Sequence, residues 1–337
     1  MKAGPFDIDE TLALVWLHEP NVTGRPNSDV LRPRLTARDL LQRQPLGWII
    51  DFGCDSAADG MAGYESPWKH VQERVKPERL KNRRARMALK WWLHGEARPG
   101  LRASAAGLSR FIVTPEVSKN RVFAWLDDVF LADHKTRAFS TADNYTFGVL
   151  HLIVHRIWAL SQGSQLRDFE SGFSYTPTTC FETFPFPTPM DAQRDAIAAA
   201  AKDLDTLRSN WLNPPEWTKT DVMEFPGSVA GPWKRFVHDA NANGVGTVRY
   251  PRTVPKDADA AAKLKKRTLT NLYNESPAWL KNAHRKRDET VFAAYGWPAD
   301  TPADALLARL LALNLERAAK QGVAARPTTE GDEDEDP

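Results

Sequence analysis

The sequence predicts an α+β chain, with a mixed α/β unit followed by a mainly helical C-terminal region. Three observations carry this reading. Short runs rich in β-branched and aromatic residues, at 48–52, 110–114 and 121–126, alternate with helical patterns in the first half. A stretch at 173–189 holds four Pro and cannot be one helix. Beyond it come an Ala-rich amphipathic pattern at 191–211 and three helical stretches near 257–273, 277–294 and 302–320.

The elements follow in order. Residues 1–35 are Pro-rich and loop-like. Thr36 can cap a short helix running through Gln42. Trp48-Ile49-Ile50-Asp51-Phe52 is a buried strand that Gly53 ends. A helical pattern at 67–94 is interrupted by Pro77, which predicts two helices. In the second, Leu80, Met87 and Trp91 share one face, and Arg79, Arg83, Arg86 and Lys90 share its neighbour. Strands at 110–114 and 121–126 flank a turn at 115–120, and 128–134 is a candidate third strand. Residues 144–160 form one long apolar helix, capped by Ser140, Thr141 or Asp143. Residues 214–255, rich in Pro, Gly and Trp, are mixed loops and short elements. The expected organisation is a loop-rich segment at 1–35, an α/β domain at 36–188, a helical region at 189–322 and an acidic, disordered tail at 323–337.

Composition narrows the class. Hydrophobic residues make up 42% and charged residues 26%, and twelve Trp and fifteen Phe supply bulky apolar surface for a core. No apolar run reaches the ~18 residues of a membrane span, and the first residues have no apolar core of a secretory signal. The only two Cys, Cys54 and Cys180, exclude a Cys-rich zinc module and fit a reducing, cytoplasmic setting. Net charge is +2, yet residues 61–140 carry 16 Lys+Arg against 8 Asp+Glu. That surplus points to a polyanionic partner.

Five segments together resemble one family. They are Gly24-Arg25-Pro26-Asn27-Ser28-Asp29-Val30-Leu31-Arg32-Pro33, Trp48-Ile49-Ile50-Asp51-Phe52-Gly53, and Gly107-Leu108-Ser109-Arg110-Phe111-Ile112-Val113-Thr114-Pro115. Phe147-Gly148-Val149-Leu150-His151 and Thr179-Cys180-Phe181-Glu182-Thr183-Phe184-Pro185-Phe186-Pro187 complete the set. Their order and spacing resemble the C-terminal half of MmeI-like adenine-specific DNA methyltransferases, found in single-chain restriction-modification enzymes and in phage-defence systems such as DISARM. The likeness runs from about residue 4 to about residue 320. It implies a target-recognition domain at 36–188 followed by the helical region. In that family a preceding domain binds S-adenosylmethionine and presents an Asn-Pro-Pro-Tyr motif to a flipped adenine. The resemblance places that domain outside this chain, so no cofactor is expected here. The expected partners are double-stranded DNA and a separate chain carrying the catalytic domain, with no membrane.

For such a partner, Arg and Lys neutralise phosphates without reading sequence, while Arg, Asn and Gln can bind base edges in pairs of hydrogen bonds. The candidates for backbone contact are Arg79, Arg83, Arg84, Arg86, Lys119 and Arg121. Those in or beside loops, nearer the bases, are Asn120, Lys135, Arg137, Arg167, Ser174 and Tyr175. A cationic helix face is also the ordinary appearance of a solvated surface.

Other segments imitate chemistry. Asn213-Pro214-Pro215-Glu216 resembles the catalytic motif, but Glu216 cannot stack on a base and the segment follows a helix rather than a strand. A helix stop is the better reading. Asp51-Phe52-Gly53 with Gly60 lacks the glycine spacing of a nucleotide-binding loop. His151 and His155 have metal-ligand spacing without a neighbouring carboxylate or Cys, and read as hydrogen-bonded core histidines. Gly244-Val245-Gly246 reads as a turn, and Cys180 as a small buried hydrophobe. The expectation is DNA recognition within an adenine-N6 methyltransferase. The alternatives are an inactive remnant and a standalone S-adenosylmethionine-dependent enzyme.

Overall fold

The computed structural model describes residues 4–44, 46–165 and 172–320. Arg167 and the acidic tail expected at 323–337 lie outside them. The architecture is mixed α and β, with several small sheets and a helical C-terminal region. The chain forms two compact units, each assembled from separated segments. One takes residues up to Glu116, Val122–Asp143 and Leu204–Ala278; the other takes Val117–Arg121, Asn144–Asp203 and the segment from Trp279 onward.

The first unit holds three sheets. One orders its strands Asp7–Ile8, Gly47–Ile50, Leu31–Leu35 and Leu131–Ala132, the last pairing in parallel. The strand expected at 48–52 is thus present, two residues shorter at its end, and Thr36 caps helix Ala37–Leu41 in a reciprocal capping box with Asp39. A second sheet sets Arg110–Pro115 between Ala124–Asp127 and Thr136–Phe139. Within 128–134, the expected third strand is only Leu131–Ala132, in the other sheet.

The third sheet corrects the loop reading of 214–255. Thr218–Ser228 and Val245–Pro255 pair antiparallel over eleven residues each, and Val237–His238 adds to the second. Met223 and Phe225 point inward and Val222, Glu224 and Pro226 outward, the period-two pattern of a half-buried strand. Trp233, fully buried, stacks on Trp48 at 5.9 Å and donates its indole N–H to the Leu31 carbonyl. One aromatic core thereby joins this ribbon to the first sheet.

The second unit is mainly helical. Its core gathers Trp158, Phe184, Ile197, Val291, Phe292, Leu306 and Leu310. Helix Asp191–Leu212 runs one residue past the expected 191–211, and its residues up to Asp203 belong here. The single helix expected at 144–160 is two, Asn144–Leu150 and Ile153–Gln162, with Leu152 extended between them. Partners remote in sequence satisfy the interrupted backbone. Arg287 donates to the His151 carbonyl at 2.7 Å, and Asp288 accepts from the Ile153 N–H at 3.2 Å. Gly148 lies against Ile197 and Ala201, where a Cβ would come within 2.9 Å of the Ile197 side chain. One small sheet pairs Val117–Ser118 with Phe173–Ser174 and that strand with Ser164–Gln165. The Pro-rich stretch at 173–189 contains one helical turn, Pro177–Cys180.

Candidate nucleic-acid interface

From Arg79 to Gly95 the sequence has no Asp or Glu, and five of its residues in 79–86 are Lys or Arg. The helical face predicted for Arg79, Arg83, Arg86 and Lys90 does not form. Helix Lys76–Arg79 stops, and Ala85–Leu89 begins a new turn. Asn82 explains the break: its side-chain oxygen accepts from the Arg84 N–H at 2.9 Å, a local turn that competes with the helix. The predicted inward face changes with it. Trp91 is buried and Met87 half-buried, but Leu80 is 58% exposed.

The cations divide accordingly. Lys81, Arg83, Arg84 and Arg86 are all exposed on this turn. Lys81 was not singled out by the helical pattern, although the acid-free run itself includes it. Arg79 is half-buried, its guanidinium 5.6 Å from the Phe6 ring and in contact with Met87 Sδ. Burial lowers its pKa. Lys90 pairs with Asp55. Lys135 and Arg137 share one carboxylate, Glu116, at 3.4 and 2.6 Å, so their local charge is partly neutralised.

Pairing of Val117–Ser118 with Phe173–Ser174 brings together Lys119, Asn120, Arg121, Ser174 and Tyr175 in the second unit. Their exposures differ. Lys119 is exposed, and Asn120 and Ser174 are half-buried. The Asn120 carbonyl accepts from the Ser118 hydroxyl. Gly172, at φ +83°, sits so close to the opposing chain that a Cβ would lie 2.6 Å from the Ser118 carbonyl carbon and 2.8 Å from the Lys119 nitrogen.

Arg121 and Tyr175, expected at the DNA surface, are buried instead. The Arg121 guanidinium lies 4.6 Å from the Phe173 ring and 5.0 Å from the Tyr175 ring, and donates to the Phe173 carbonyl at 3.1 Å. Burial, partly offset by Tyr175 and Cys180, pulls its pKa down to about 10. The Tyr175 hydroxyl lies 3.1 Å from His155 Nε2, and His155 Nδ1 faces the Leu150 carbonyl at 2.9 Å. Nδ1 therefore carries the proton and Nε2 accepts. Burial drives this imidazole down to about 3. His151 directs Nδ1 to the Phe147 carbonyl. The two histidines are core residues, and among the described residues no group of three His, Cys, Asp or Glu is arranged to hold a metal.

Neither segment that imitates a methyltransferase site fits S-adenosylmethionine chemistry. The Asn213 side-chain oxygen accepts from Arg43 at 2.6 Å. The Pro214 carbonyl accepts from Trp217 N–H, Thr218 N–H and the Thr218 hydroxyl. This is a fully engaged helix stop with Glu216 in solvent. Asp51 is likewise occupied. Arg102 grips both carboxylate oxygens at 2.7 and 2.9 Å, and Arg32 and His94 lie at 3.7 and 3.8 Å. Burial pushes this carboxyl up, but these neighbours outweigh it and hold the pKa at about 2. Arg32 also donates to the carbonyls of Asp128, Val129 and Phe130, so the cluster fastens a loop to the sheet.

No protein-family model and no curated protein matches the sequence. Among solved structures, the fold is similar to that of MmeI, a type IIL restriction-modification enzyme determined in complex with DNA. The TM-score is 0.61 and the identity 17%, over 94% of this chain and 34% of MmeI. The chain therefore spans about a third of that enzyme's length, and the likeness is one of fold.

Proposed function

We propose that this chain recognises DNA for an adenine-N6-specific methyltransferase of a restriction-modification or phage-defence system in the cytoplasm. S-adenosylmethionine binding and methyl transfer are supplied by a domain outside these residues, which we place on a partner chain. The observation that carries the reading is the exposed turn bearing Lys81, Arg83, Arg84 and Arg86, in a run free of acid. Four cations so displayed are built to neutralise phosphates. Support comes from the likeness in fold to an enzyme solved with DNA. It also comes from the occupied state of Asp51 and Asn213, which leaves both imitation sites committed to structure. Lys119, Asn120 and Ser174, gathered at one sheet end, are the groups we assign to base edges; an Asn amide suits adenine.

Binding of the full chain to a labelled duplex, followed by anisotropy between about 50 and 200 mM salt, tests this. Each neutralised phosphate contributes about −0.9 to the slope of log affinity on log salt, so the turn alone accounts for about −3.6. Methyl incorporation from labelled S-adenosylmethionine is expected only with the partner present. Salt-independent binding, or methylation by this chain alone, overturns the reading.

A further inference from the structure

A second cationic surface lies in the first unit, away in sequence from the run at 79–95. Lys263-Leu264-Lys265-Lys266-Arg267 closes helix Ala258–Leu264, and Lys256 precedes it. Lys256, Lys263, Lys265 and Lys266 are exposed. The two neighbouring acids are engaged: Asp257 caps the helix by accepting from Ala260 N–H, and Asp259 pairs with Lys263 at 2.7 Å. Lys256, Lys265 and Lys266 have no carboxylate partner among the described residues.

Two half-buried indoles organise this surface. The Arg267 guanidinium lies 4.5 Å from the Trp211 ring and 5.1 Å from the Trp217 ring, with Lys263 5.7 Å from Trp217. The Lys256 N–H donates to the Trp217 carbonyl. Arg43 clips the parts together: Nη2 donates to the Leu212 carbonyl at 2.5 Å and to Asn213 Oδ1, and Nε to the Arg267 carbonyl at 3.3 Å. Arg43 does this from a left-handed backbone, φ +31°, which is strained for a residue with a Cβ. The Asn213-Pro214-Pro215 turn thus serves as scaffold for a cation cluster.

We propose that Lys256, Lys265 and Lys266, with Arg267 held by Trp211 and Trp217, form a second contact to the backbone of duplex DNA. Arg267, fixed on the two indoles, loses less rotamer freedom when it meets a phosphate. Lys265 and Lys266 stand beside it in sequence and Lys256 beside Trp217, all three without a carboxylate partner among the described residues. A duplex is a long polyanion, with one charge per about 1.7 Å, so it can serve two cationic segments of one unit where a small anion cannot. The inference rests on the DNA-recognition reading.

The test compares the full chain carrying Lys256→Gln, Lys265→Gln and Lys266→Gln with wild type. A charge-keeping variant with Arg at the same positions, and thermal melts of all three, accompany it. On duplex DNA the Gln variant is expected to lose about 2.7 from the salt slope and about tenfold or more in affinity near 0.1 M salt, with the Arg variant restoring both. An unchanged slope in the Gln variant, beside a wild type that binds, overturns this proposal alone. Loss confined to single-stranded DNA overturns it in favour of another partner. A wild type that binds no duplex overturns the recognition reading and this proposal together.

Discussion

The turn at 81–86 and the cluster around Asp51 use arginine in opposite ways. In the first, Arg83, Arg84 and Arg86 are exposed in a run without Asp or Glu from Arg79 to Gly95, and Arg86 acts on Asp55 only through space. In the second, Arg32 and Arg102 are spent on one buried carboxylate and on carbonyls of the 128–130 loop. A guanidinium turned onto a buried carboxylate needs its partner, because little water reaches that side of it; an exposed one keeps its hydration and can still meet an external anion. Composition counts the two alike, so charge surplus alone does not locate an interface.

Three measurements test that contrast. The largest effect is expected from Asp51→Asn, which removes the buried carboxylate that Arg102 grips and that Arg32 and His94 approach. A loss of about 3–5 kcal/mol in urea melts is expected, as for other buried pairs broken from one side. A loss near zero would mean that the cluster is not a stabilising hub.

Next comes Arg83→Gln with Arg84→Gln and Arg86→Gln. The melt should not move, since all three are exposed. Duplex affinity should fall about a hundredfold at low salt, with about 2.7 removed from the salt slope. A fall in stability with unchanged binding would place these arginines in the structural class.

The smallest effect concerns acid. The Asp51 carboxyl is depressed from 3.8 to about 2, so its contribution is present above 3.8 and lost as pH falls through about 2. That linkage amounts to about 2 kcal/mol. The difference in stability between wild type and Asp51→Asn should therefore narrow between about pH 4 and pH 2 in paired urea melts. A difference constant over that window would remove the charge of Asp51 from the account.

Local signals made part of this structure legible. Thr36 with Asp39, the run ending at Gly53 and the Ala-rich repeat from Asp191 each declare themselves within a few residues. What escaped depends on remote partners. Pro226, Gly227 and Pro251 look like loop residues, yet they sit in a ladder whose register pairs Thr218 with Pro255 and Ser228 with Val245. The break at Leu152 needs Arg287 and Asp288. Within the candidate site, the exposed cluster was readable as a run of charge, but its helical face was not, because Asn82 turns the chain. Arg121 and Tyr175 were misplaced for a related reason: stacked rings and a carbonyl made the interior acceptable to a cation.

The close approach of Gly172 to the Ser118–Lys119 peptide bears on how the molecule can be altered. Backbone, not side chain, sets the path of the chain at that point. Replacing Lys119 or Asn120 therefore exchanges side chains while the support beneath them stays put. Any side chain larger than hydrogen at 172 moves the support itself. Substitutions meant to probe the proposed DNA contact should consequently spare Gly172 and the buried Arg121, and change the positions between Ser118 and Arg121.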